Sequence, residues 1–179
     1  ISPSNSNDAY WMIQQAIESN DPVIFFEPKR RYWQKGMVNL DSPPSSMHDA
    51  KVLREGTQVT LVSYGPMIPT ALQAAEIAAS EGISIEVVDL RSMSPIDFST
   101  IINSVKKTGR LVVASEASTS FSVSAEIAAK VAELAFYHLE APVIRVGSFD
   151  VPYPPAKLEE LFLPDADRIL EAVDRSLNY

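Results

Sequence analysis

The chain has 179 residues, 46% of them hydrophobic and 21% charged, with a formal net charge of −8. This length suits one ordinary domain with a further segment attached, and it allows a sizeable buried core. The acidic balance argues against nucleic acid and anionic membranes as partners. Cysteine is absent, so disulfides and thiolate sites are excluded. With no apolar run of membrane-spanning length and no signal-peptide pattern, we expect a cytoplasmic protein.

The first part of the chain predicts one helix, one strand and a linker. Residues 1–7 are polar, and we expect them to be frayed. A helix is predicted from Asp8, whose carboxylate can cap the first turn, and the apolar run Val23–Phe26 predicts a strand bounded by prolines. The stretch GMVNLDSPPSSMHD, residues 36–49, has no periodicity and is rich in Ser, Pro and Asp. Its composition predicts a linker and a domain boundary.

From residue 50 onward, strand patterns and helix patterns alternate. Near-continuous apolar strands are predicted at 59–63, 85–90, 111–116 and 143–146. Helices are predicted over about 67–81, 95–107 and 121–139, and in the terminal stretch ADRILEAVDRSL. The first of these helices carries a stripe of small residues, Ala71, Ala74, Ala75 and Ala78. Such alternation predicts an α/β domain whose mostly parallel sheet has helices on both faces.

Residues that commonly carry chemistry are scarce. A phosphate-binding loop would follow the first strand, but the turn there, SYGPMIPT, has one glycine and two prolines, which lack N–H donors. Of the two histidines, His48 lies in the linker and is expected to be solvated. His138 shares an apolar helix face with Ile127, Val131 and Leu134, and is expected to be packed. These patterns argue against dinucleotide binding, a hydrolase triad and metal ligation.

The stretch VVDLRSMSPID contains charged residues at a strand end, where open α/β sheets bind ligands. Asp89 and Arg91 are two positions apart, so they share one strand face and can pair with each other or with a neighbour. Ser94 is predicted to cap the next helix, with Asp97 closing a capping box. We expect Asp89 and Arg91 to brace this loop or a subunit interface rather than to do chemistry.

A second charged feature is the basic patch EPKRRY, which includes Lys29 and Arg30. Adjacent cations after a strand are typical of a solvated strand exit. In an acidic chain they also fit contact with an acidic partner surface.

Several stretches together resemble one family. They are DAYWMIQQAI, DPVIFFEPKRRY, VTLVSYGPMIPTALQAAE, VVDLRSMSPID, SVKKTGRLVVASEA, AEIAAKVAE, LEAPVIRV, DVPYPP and LPDADRILEAV. Their order and spacing resemble the beta subunits of thiamine-diphosphate-dependent 2-oxoacid dehydrogenases, the first component of the pyruvate and branched-chain complexes. The resemblance covers the second half of such a subunit. Residues 1–35 resemble the tail of a pyrimidine-binding domain, and residues 50–179 resemble a transketolase-like C-terminal domain.

The resemblance implies an activity for the complete enzyme, namely oxidative decarboxylation of pyruvate or a branched-chain 2-oxo acid with acyl transfer to a lipoyl group. It also implies thiamine diphosphate with magnesium as cofactor, not bound by this segment alone. The family's acidic residue that activates the aminopyrimidine has no counterpart here, and neither does its catalytic histidine. We therefore assign no catalytic, cofactor-binding or metal-binding residue to this chain and expect it to be inactive alone.

The resemblance further implies three protein partners. They are the alpha subunit, a second beta subunit related by a two-fold axis, and the basic docking domain of the dihydrolipoyl acyltransferase. Glu140 and the carboxylate of Tyr179 are expected at the docking surface. The candidate interface residues are therefore Lys29, Arg30, Asp89, Arg91, Glu140 and Tyr179.

In one loop the chain departs from the family pattern. Relatives carry a glycine pair within the equivalent of residues 114–127, where this chain has serines, so we expect no turn with positive φ there. Two other interpretations stay open. One is the C-terminal domain of a transketolase or deoxyxylulose-phosphate synthase, although EPKRRY and DVPYPP argue against it. The other is a stand-alone assembly module with no enzymatic role.

Overall fold

The structure, a computed structural model, describes residues 1–43 and 45–179. Pro44, in the predicted linker, lies outside the described residues. The helices are α1 Ser6–Glu18, α2 Ile68–Ser80, α3 Phe98–Thr108, α4 Val123–Ala135, α5 Glu159–Phe162 and α6 Ala166–Leu177. The strands are β1 Lys51–Arg54, β2 Val59–Ser63, β3 Ile85–Asp89, β4 Leu111–Ser118 and β5 Ile144–Ser148. Short 3-10 turns lie at Lys29–Arg31, Gly65–Met67, Phe136–His138 and Ala156–Leu158.

The strands form one sheet in the order β1-β3-β2-β4-β5. Strands β2 to β5 run parallel, while β1 pairs antiparallel with β3 at the edge. In the centre, Leu61 on β2 lies between Val87 on β3 and Val112 on β4. Every residue of β2 and β3 is buried, which explains why these strands are apolar on both faces. The predicted mostly parallel α/β fold is confirmed, and β1 is an addition to it.

Helices pack on both faces of the sheet. On one face, α2 and α6 pack against inward side chains such as Leu61 and Ile85. On the other face, α3 and α4 pack against side chains such as Val62 and Val88. The alanine stripe of α2 has no exposed area, as predicted. None of the helices within residues 1–43 and 45–179 has the length and apolar composition that crossing a membrane requires.

The end of α4 differs from the prediction. Ile127 and Val131 are buried as expected, but Leu134 and His138 are exposed. The α-helix ends at Ala135 and a 3-10 turn follows, so the helical periodicity on which the predicted face depends is lost. His138 is therefore a surface residue.

The start of the chain is ordered, so the expectation of a frayed segment is wrong. Ile1, Ser2 and Ser4 are buried. Asn5, and not Asp8, caps α1, because the Asn5 side chain accepts a hydrogen bond from the Asp8 backbone N–H at 2.9 Å. Asp8 lies in the first turn of α1 and is fully buried, and it pairs with Arg91.

The predicted strand Val23–Phe26 is extended chain that belongs to no sheet among the described residues. The Ile1 ammonium donates to the Ile24 carbonyl at 2.9 Å, and the Phe26 N–H donates to the Ile1 carbonyl at 2.9 Å. The side chains of Ile24 and Phe26 point outward and are exposed. These two bonds, one on each side of Phe25, are the backbone pairing that the described residues give this segment.

The start of α3 also corrects the prediction. Asp97, and not Ser94, is the cap residue, and the helix begins at Phe98. One Asp97 oxygen accepts from the Thr100 N–H at 3.1 Å, and the other accepts from the Ala50 N–H at 3.2 Å. A single carboxylate thus fixes both the helix start and the approach to β1, a tertiary contact that a local capping box cannot provide.

Candidate functional site

The carboxyl ends of the parallel strands form one edge of the sheet, which we call the carboxyl edge. Tyr64 follows β2, Asp89 ends β3, and Glu116 lies near the end of β4. Ligands of open α/β sheets bind at this edge. Here the edge is covered unevenly. Helix α1 and residues 45–49 pack over the ends of β1 and β3, and the segment Lys29–Arg31 lies over the ends of β2 and β4, whereas the loops after β4 and β5 carry exposed side chains.

A cluster of charged residues lies beneath the covered part, and we call it the junction cluster: Asp8, Lys51, Asp89 and Arg91. Arg91 Nη2 is 3.3 Å from Asp8 Oδ1, and neither side chain has any exposed area. Lys51 Nζ is 3.1 Å from the same oxygen. Asp89 Oδ2 accepts from Ser4 Oγ at 2.5 Å, and its Oδ1 accepts from the Arg91 N–H at 3.0 Å. The two negative charges of the carboxylates are matched by the two positive charges of Lys51 and Arg91, as burial of charges requires.

Arg91 joins three separate segments of the chain. Its Nη1 donates to Ser45 Oγ at 2.9 Å, to the Ser46 carbonyl at 2.8 Å and to the Asp49 carbonyl at 2.8 Å. Its φ is +58°, a left-handed conformation that costs an L-residue roughly 1–2 kcal/mol. Because the guanidinium contacts hold this backbone in place, Arg91 connects β3 to α1 and to residues 45–49.

Asp89 has a strongly perturbed acidity. Burial raises the pKa of Asp89 to about 6, the negative charge of Asp8 acts in the same direction, and the bonds from Ser4 and the Arg91 N–H oppose them. A perturbed carboxyl can mark an acid–base site. Both oxygens of Asp89 are bonded within the chain and the residue has no exposed area, so a substrate cannot reach it. The geometry agrees with bracing rather than with proton transfer.

The basic segment Lys29–Arg31 lies over the ends of β2 and β4. Arg30 forms an ion pair with Glu116, and Arg31 Nη2 donates to the Pro66 carbonyl at 2.7 Å. Burial raises the pKa of Glu116, and the charges of Arg30 and Arg31 oppose this. Two of the three cations thus contact the chain itself, while Lys29 is exposed.

Glu140 and Tyr179 lie at the opposite edge of the sheet, before the starts of β4 and β5. The Glu140 carboxylate accepts from Arg110 Nη1 at 2.5 Å, and Arg110 Nε donates to the Ser176 carbonyl at 3.0 Å. Glu140 and Tyr179 are both exposed. The six predicted residues therefore fall in two places, with Lys29, Arg30, Asp89 and Arg91 near the carboxyl edge. Their roles at subunit interfaces stay predictions.

The structure shows three side-chain contacts that the sequence does not predict. The sequence predicts that Asp8 caps a helix and that Ser4 lies in a frayed end, yet both bind the residues at the end of β3. The sequence contains only an indirect signal of these contacts, because an acid and an arginine at the end of a buried strand must have partners. His48, expected to be solvated, has its Nδ1 3.3 Å from Ser92 Oγ. Ser92 is fully buried, so this pair is not an accessible nucleophile and base.

Two observations concern diphosphate and metal binding by the described residues. Across residues 1–43 and 45–179, no three His, Asp or Glu side chains are grouped to hold a metal ion. The turn after β2 carries Pro66 and Pro69, which cannot donate N–H groups to a diphosphate.

Comparison with known proteins defines the class. The family model for "Transketolase, C-terminal domain" matches residues 48–169, which is more than half of the chain. The chain therefore belongs to the transketolase C-terminal domain family. A solved structure, "Split gene transketolase, inactive beta4 tetramer", agrees with this at 30% identity and a TM-score of 0.79, covering 99% of this chain and 56% of that one.

Beta subunits of 2-oxoacid dehydrogenases are similar to the chain along its whole length. It is 62% identical over 179 residues to "Pyruvate dehydrogenase E1 component subunit beta" of Leifsonia xyli subsp. xyli, covering 100% of this chain and 53% of the relative. It is 48% identical to "3-methyl-2-oxobutanoate dehydrogenase subunit beta" of Mycobacterium tuberculosis, covering 99% and 51%. The predicted resemblance is confirmed, and the chain spans about half the length of these relatives.

A third relative has a different named activity. The chain is 40% identical to "Acetoin:2,6-dichlorophenolindophenol oxidoreductase subunit beta" of Cupriavidus necator, covering 99% of this chain and 53% of the relative. Similarity in this half of the subunit therefore extends across several named substrates, and it does not select one of them.

Proposed function

We propose that this chain is the C-terminal half of the beta subunit of a cytoplasmic 2-oxoacid dehydrogenase first component. The observation that carries the proposal is the 62% identity to a pyruvate dehydrogenase beta subunit over all 179 residues. The complete enzyme would decarboxylate pyruvate or a branched-chain 2-oxo acid and pass the acyl group to a lipoyl carrier. Thiamine diphosphate with magnesium, bound outside this segment, would supply the carbanion that this chemistry needs.

In this proposal the junction cluster has a structural role between two domains. Residues 1–35 form the tail of the pyrimidine-binding domain, residues 36–49 form the linker, and residues 50–179 form the C-terminal domain. Asp8 and Ser4 on the first segment bind Arg91 and Asp89 on the last. Such buried bonds support a fixed orientation of one domain on the other, because breaking them would leave uncompensated charges.

The C-terminal domain is proposed to pair with a second beta subunit and to bind the acyltransferase docking domain. The solved transketolase relative is described as a "beta4 tetramer", which supports self-association of such chains. The docking proposal is supported by the exposed acid Glu140, the exposed terminal residue Tyr179 and the neighbouring exposed aromatics Phe136 and Tyr137. An acidic surface with apolar neighbours fits a basic docking module.

Activity is tested with the full-length beta subunit and its alpha subunit together. We expect turnover of pyruvate, 3-methyl-2-oxobutanoate or both in an assay that couples decarboxylation to a lipoyl acceptor. Acetoin is included as a third substrate because of the oxidoreductase relative. The 179-residue chain alone should show no turnover. Activity of that chain alone, or failure of the full-length pair on all 2-oxo acids, contradicts the proposal.

Docking is tested by charge reversal at Glu140. Glu140→Lys should weaken binding of the isolated basic docking domain in calorimetry by tenfold or more, because a repulsive charge replaces an attractive one. Glu133→Lys is the matched control, since Glu133 is also exposed and pairs with a cation of this chain, Lys130, at 3.0 Å. Equal binding by both variants would remove Glu140 from the docking surface.

A further inference from the structure

The two carboxylates of the junction cluster are bonded in different ways. Asp8 Oδ1 lies 3.3 Å from Arg91 Nη2 and 3.1 Å from Lys51 Nζ, so it has both cations as partners. Asp89 accepts from two neutral donors, Ser4 Oγ at 2.5 Å and the Arg91 backbone N–H at 3.0 Å. In the part of the chain that the structure describes, Asp89 forms no ion pair. The cluster is neutral as a whole, but its cations are placed on Asp8.

A buried carboxylate without an ion pair binds a proton more readily than a solvated one. Asp89 has no exposed area, so its negative charge has lost its contact with water and no adjacent cation offsets that loss. This burial raises the pKa of Asp89 to about 6, and the charge of Asp8 adds to the effect, while the bond from Ser4 opposes it. The geometry of the cluster therefore makes Asp89 its proton-binding group.

Asp89 is surrounded by other titratable groups. Asp8 and Arg91 are the two whose charges act on its acidity, in opposite directions. His48 Nδ1 instead lies 3.3 Å from Ser92 Oγ. The titratable or charged groups on the segments packed around Asp89 are Asp8, Lys51, Tyr64, Arg91, His48, Asp49, Asp97 and the Ile1 ammonium. Since none of them forms an ion pair with Asp89 in the described chain, a bound proton is what neutralises this carboxylate.

The start of the chain covers Asp89, and we call residues 1–18 the cover segment. Ser4 Oγ bonds to Asp89 although the two residues are 85 positions apart. The Ser2 backbone N–H donates to the Arg91 carbonyl at 2.9 Å, and the side chains of Ser2 and Ser4 are buried. If the cover segment moved away from the end of β3, Asp89 would be in contact with water.

The backbone at this contact is strained. Among the described residues, two residues other than glycine have positive φ, Arg91 at +58° and Phe121 at +55°. Phe121 shows that the expectation of no such turn within residues 114–127 is wrong, but its side chain is exposed. Arg91 is fully buried directly beside Asp89. Strained backbone that surrounding contacts hold in place is typical of switch regions.

Proton binding by Asp89 is linked to the position of the cover segment. With the segment in place, the pKa of Asp89 is about 6, whereas a solvated Asp89 should have its ordinary value near 3.8. Because the covered state binds the proton more tightly, protonation favours that state. This contribution is complete below pH 3.8 and is lost as the pH rises through about 6. The contact with Ser4 persists in both forms, since protonated Asp89 can donate to Ser4 Oγ.

We infer that the junction cluster is a proton-sensitive joint, in which proton uptake by Asp89 holds the cover segment more firmly against the end of β3. In a complete subunit this joint makes the position of the preceding part of the chain on the sheet respond to pH. The inference goes beyond the proposed function and does not depend on it, because it involves neither substrate nor cofactor.

The test measures hydrogen exchange of the Ser2 backbone amide in the full-length beta subunit. This amide donates to the Arg91 carbonyl across the joint, so it exchanges when the cover segment moves away. After correction for the intrinsic pH dependence of exchange, its protection should be about tenfold higher at pH 5 than at pH 7, the ratio that pKa values of 3.8 and about 6 give.

Two variants identify the group that titrates. Asp89→Asn keeps the shape of the side chain but cannot bind the proton, so protection of the Ser2 amide should be equal at the two pH values. His48→Gln is the matched control, because histidine is the other type of side chain that changes charge between pH 5 and 8. It should keep the tenfold difference. A difference that persists in Asp89→Asn, or one that is lost in His48→Gln, overturns the inference.

Two results in the wild type also overturn it. Equal protection of the Ser2 amide at pH 5 and pH 7 would show that closing of the joint takes up no proton. Protection as high as that of the Leu61 and Val113 amides, in the central strands β2 and β4, would show that the cover segment leaves only when the whole chain unfolds. Enzymatic activity plays no part in these measurements, so their failure leaves the proposed function unaffected.

Discussion

The two parts of the carboxyl edge differ in what covers them. Over β1, β3 and β2, segments from the start of the chain bury the junction cluster, so that Asp8 and Arg91 have no contact with solvent. Over β4 and β5, no segment of the described chain covers Phe121, Phe149 or Tyr153, and these side chains stay exposed. One edge of one sheet therefore ends partly in a buried charged junction and partly in an exposed apolar surface.

The difference shows that burial decides whether a residue at a strand end stabilises the fold or is available to a partner. Charged residues under the covered part bond to other residues of the chain and are buried, so they stabilise the fold and are closed to substrates. Apolar residues on the uncovered part contribute little to the fold of this chain, and they are available to a partner. Changes at the two places should accordingly affect stability in one case and association in the other.

The largest effect is expected from Arg91→Ala. The change removes three hydrogen bonds to residues 45–49 and leaves Asp8 and Asp89 buried with less compensation, which should lower the free energy of unfolding by about 3–5 kcal/mol. Urea unfolding followed by circular dichroism measures it. Arg175→Ala, at an exposed position of α6, is the control and should change stability by less than about 0.5 kcal/mol. Similar losses in both variants would show that the junction does not hold the fold.

A smaller effect on the free energy of unfolding is expected from protonation of Asp89. Its folded pKa is raised from 3.8 to about 6, so the folded state binds the proton more tightly and this stabilisation is lost as pH rises toward 6. Between pH 7 and pH 5, Asp89 alone should add about 1 kcal/mol to the free energy of unfolding. Unfolding curves at both pH values measure this gain in the wild type. Asp89→Asn should lack it, and an equal gain in that variant would exclude Asp89 as its source.

The exposed aromatic side chains after β4 and β5 should respond in the opposite direction. Phe121→Asn relieves part of the backbone strain and loses no buried contact, so the free energy of unfolding should rise by up to about 1 kcal/mol. Thermal unfolding of this variant and of the wild type measures the change. A clear loss of stability in Phe121→Asn would mean that the ring packs within the subunit and that the two parts of the edge are alike.

The smallest effect is expected at the boundary between the two parts, where Arg30 pairs with Glu116. The side chains are about 40% and 29% exposed, and a solvated pair of this kind contributes about 0.2–1 kcal/mol. A double-mutant cycle with Arg30→Ala and Glu116→Gln measures the coupling energy. A coupling much larger than this range would extend the buried junction as far as β4.

The order of the strands and helices from residue 59 onward follows from the sequence alone. Continuous apolar runs such as VTLVS and IEVVD alternate with helical patterns, and only a parallel sheet buried on both faces accommodates them. The alanine stripe of α2 likewise predicts close packing on the sheet. The spacing of apolar residues along the chain is enough to predict the order of these elements, and no tertiary contact is needed.

Tertiary structure decided the partners of the charged residues. Asp89 bonds to Ser4, which lies 85 positions away, and Arg91 pairs with Asp8. These contacts also order the first residues. Other features are likewise not predicted by the local sequence: Asp97 bonds to the Ala50 N–H, and Phe121 has a left-handed conformation that its loop sequence does not favour. Local sequence determines which elements form because it sets periodicity and propensity. It does not determine which charges meet, because that depends on the final packing of distant segments.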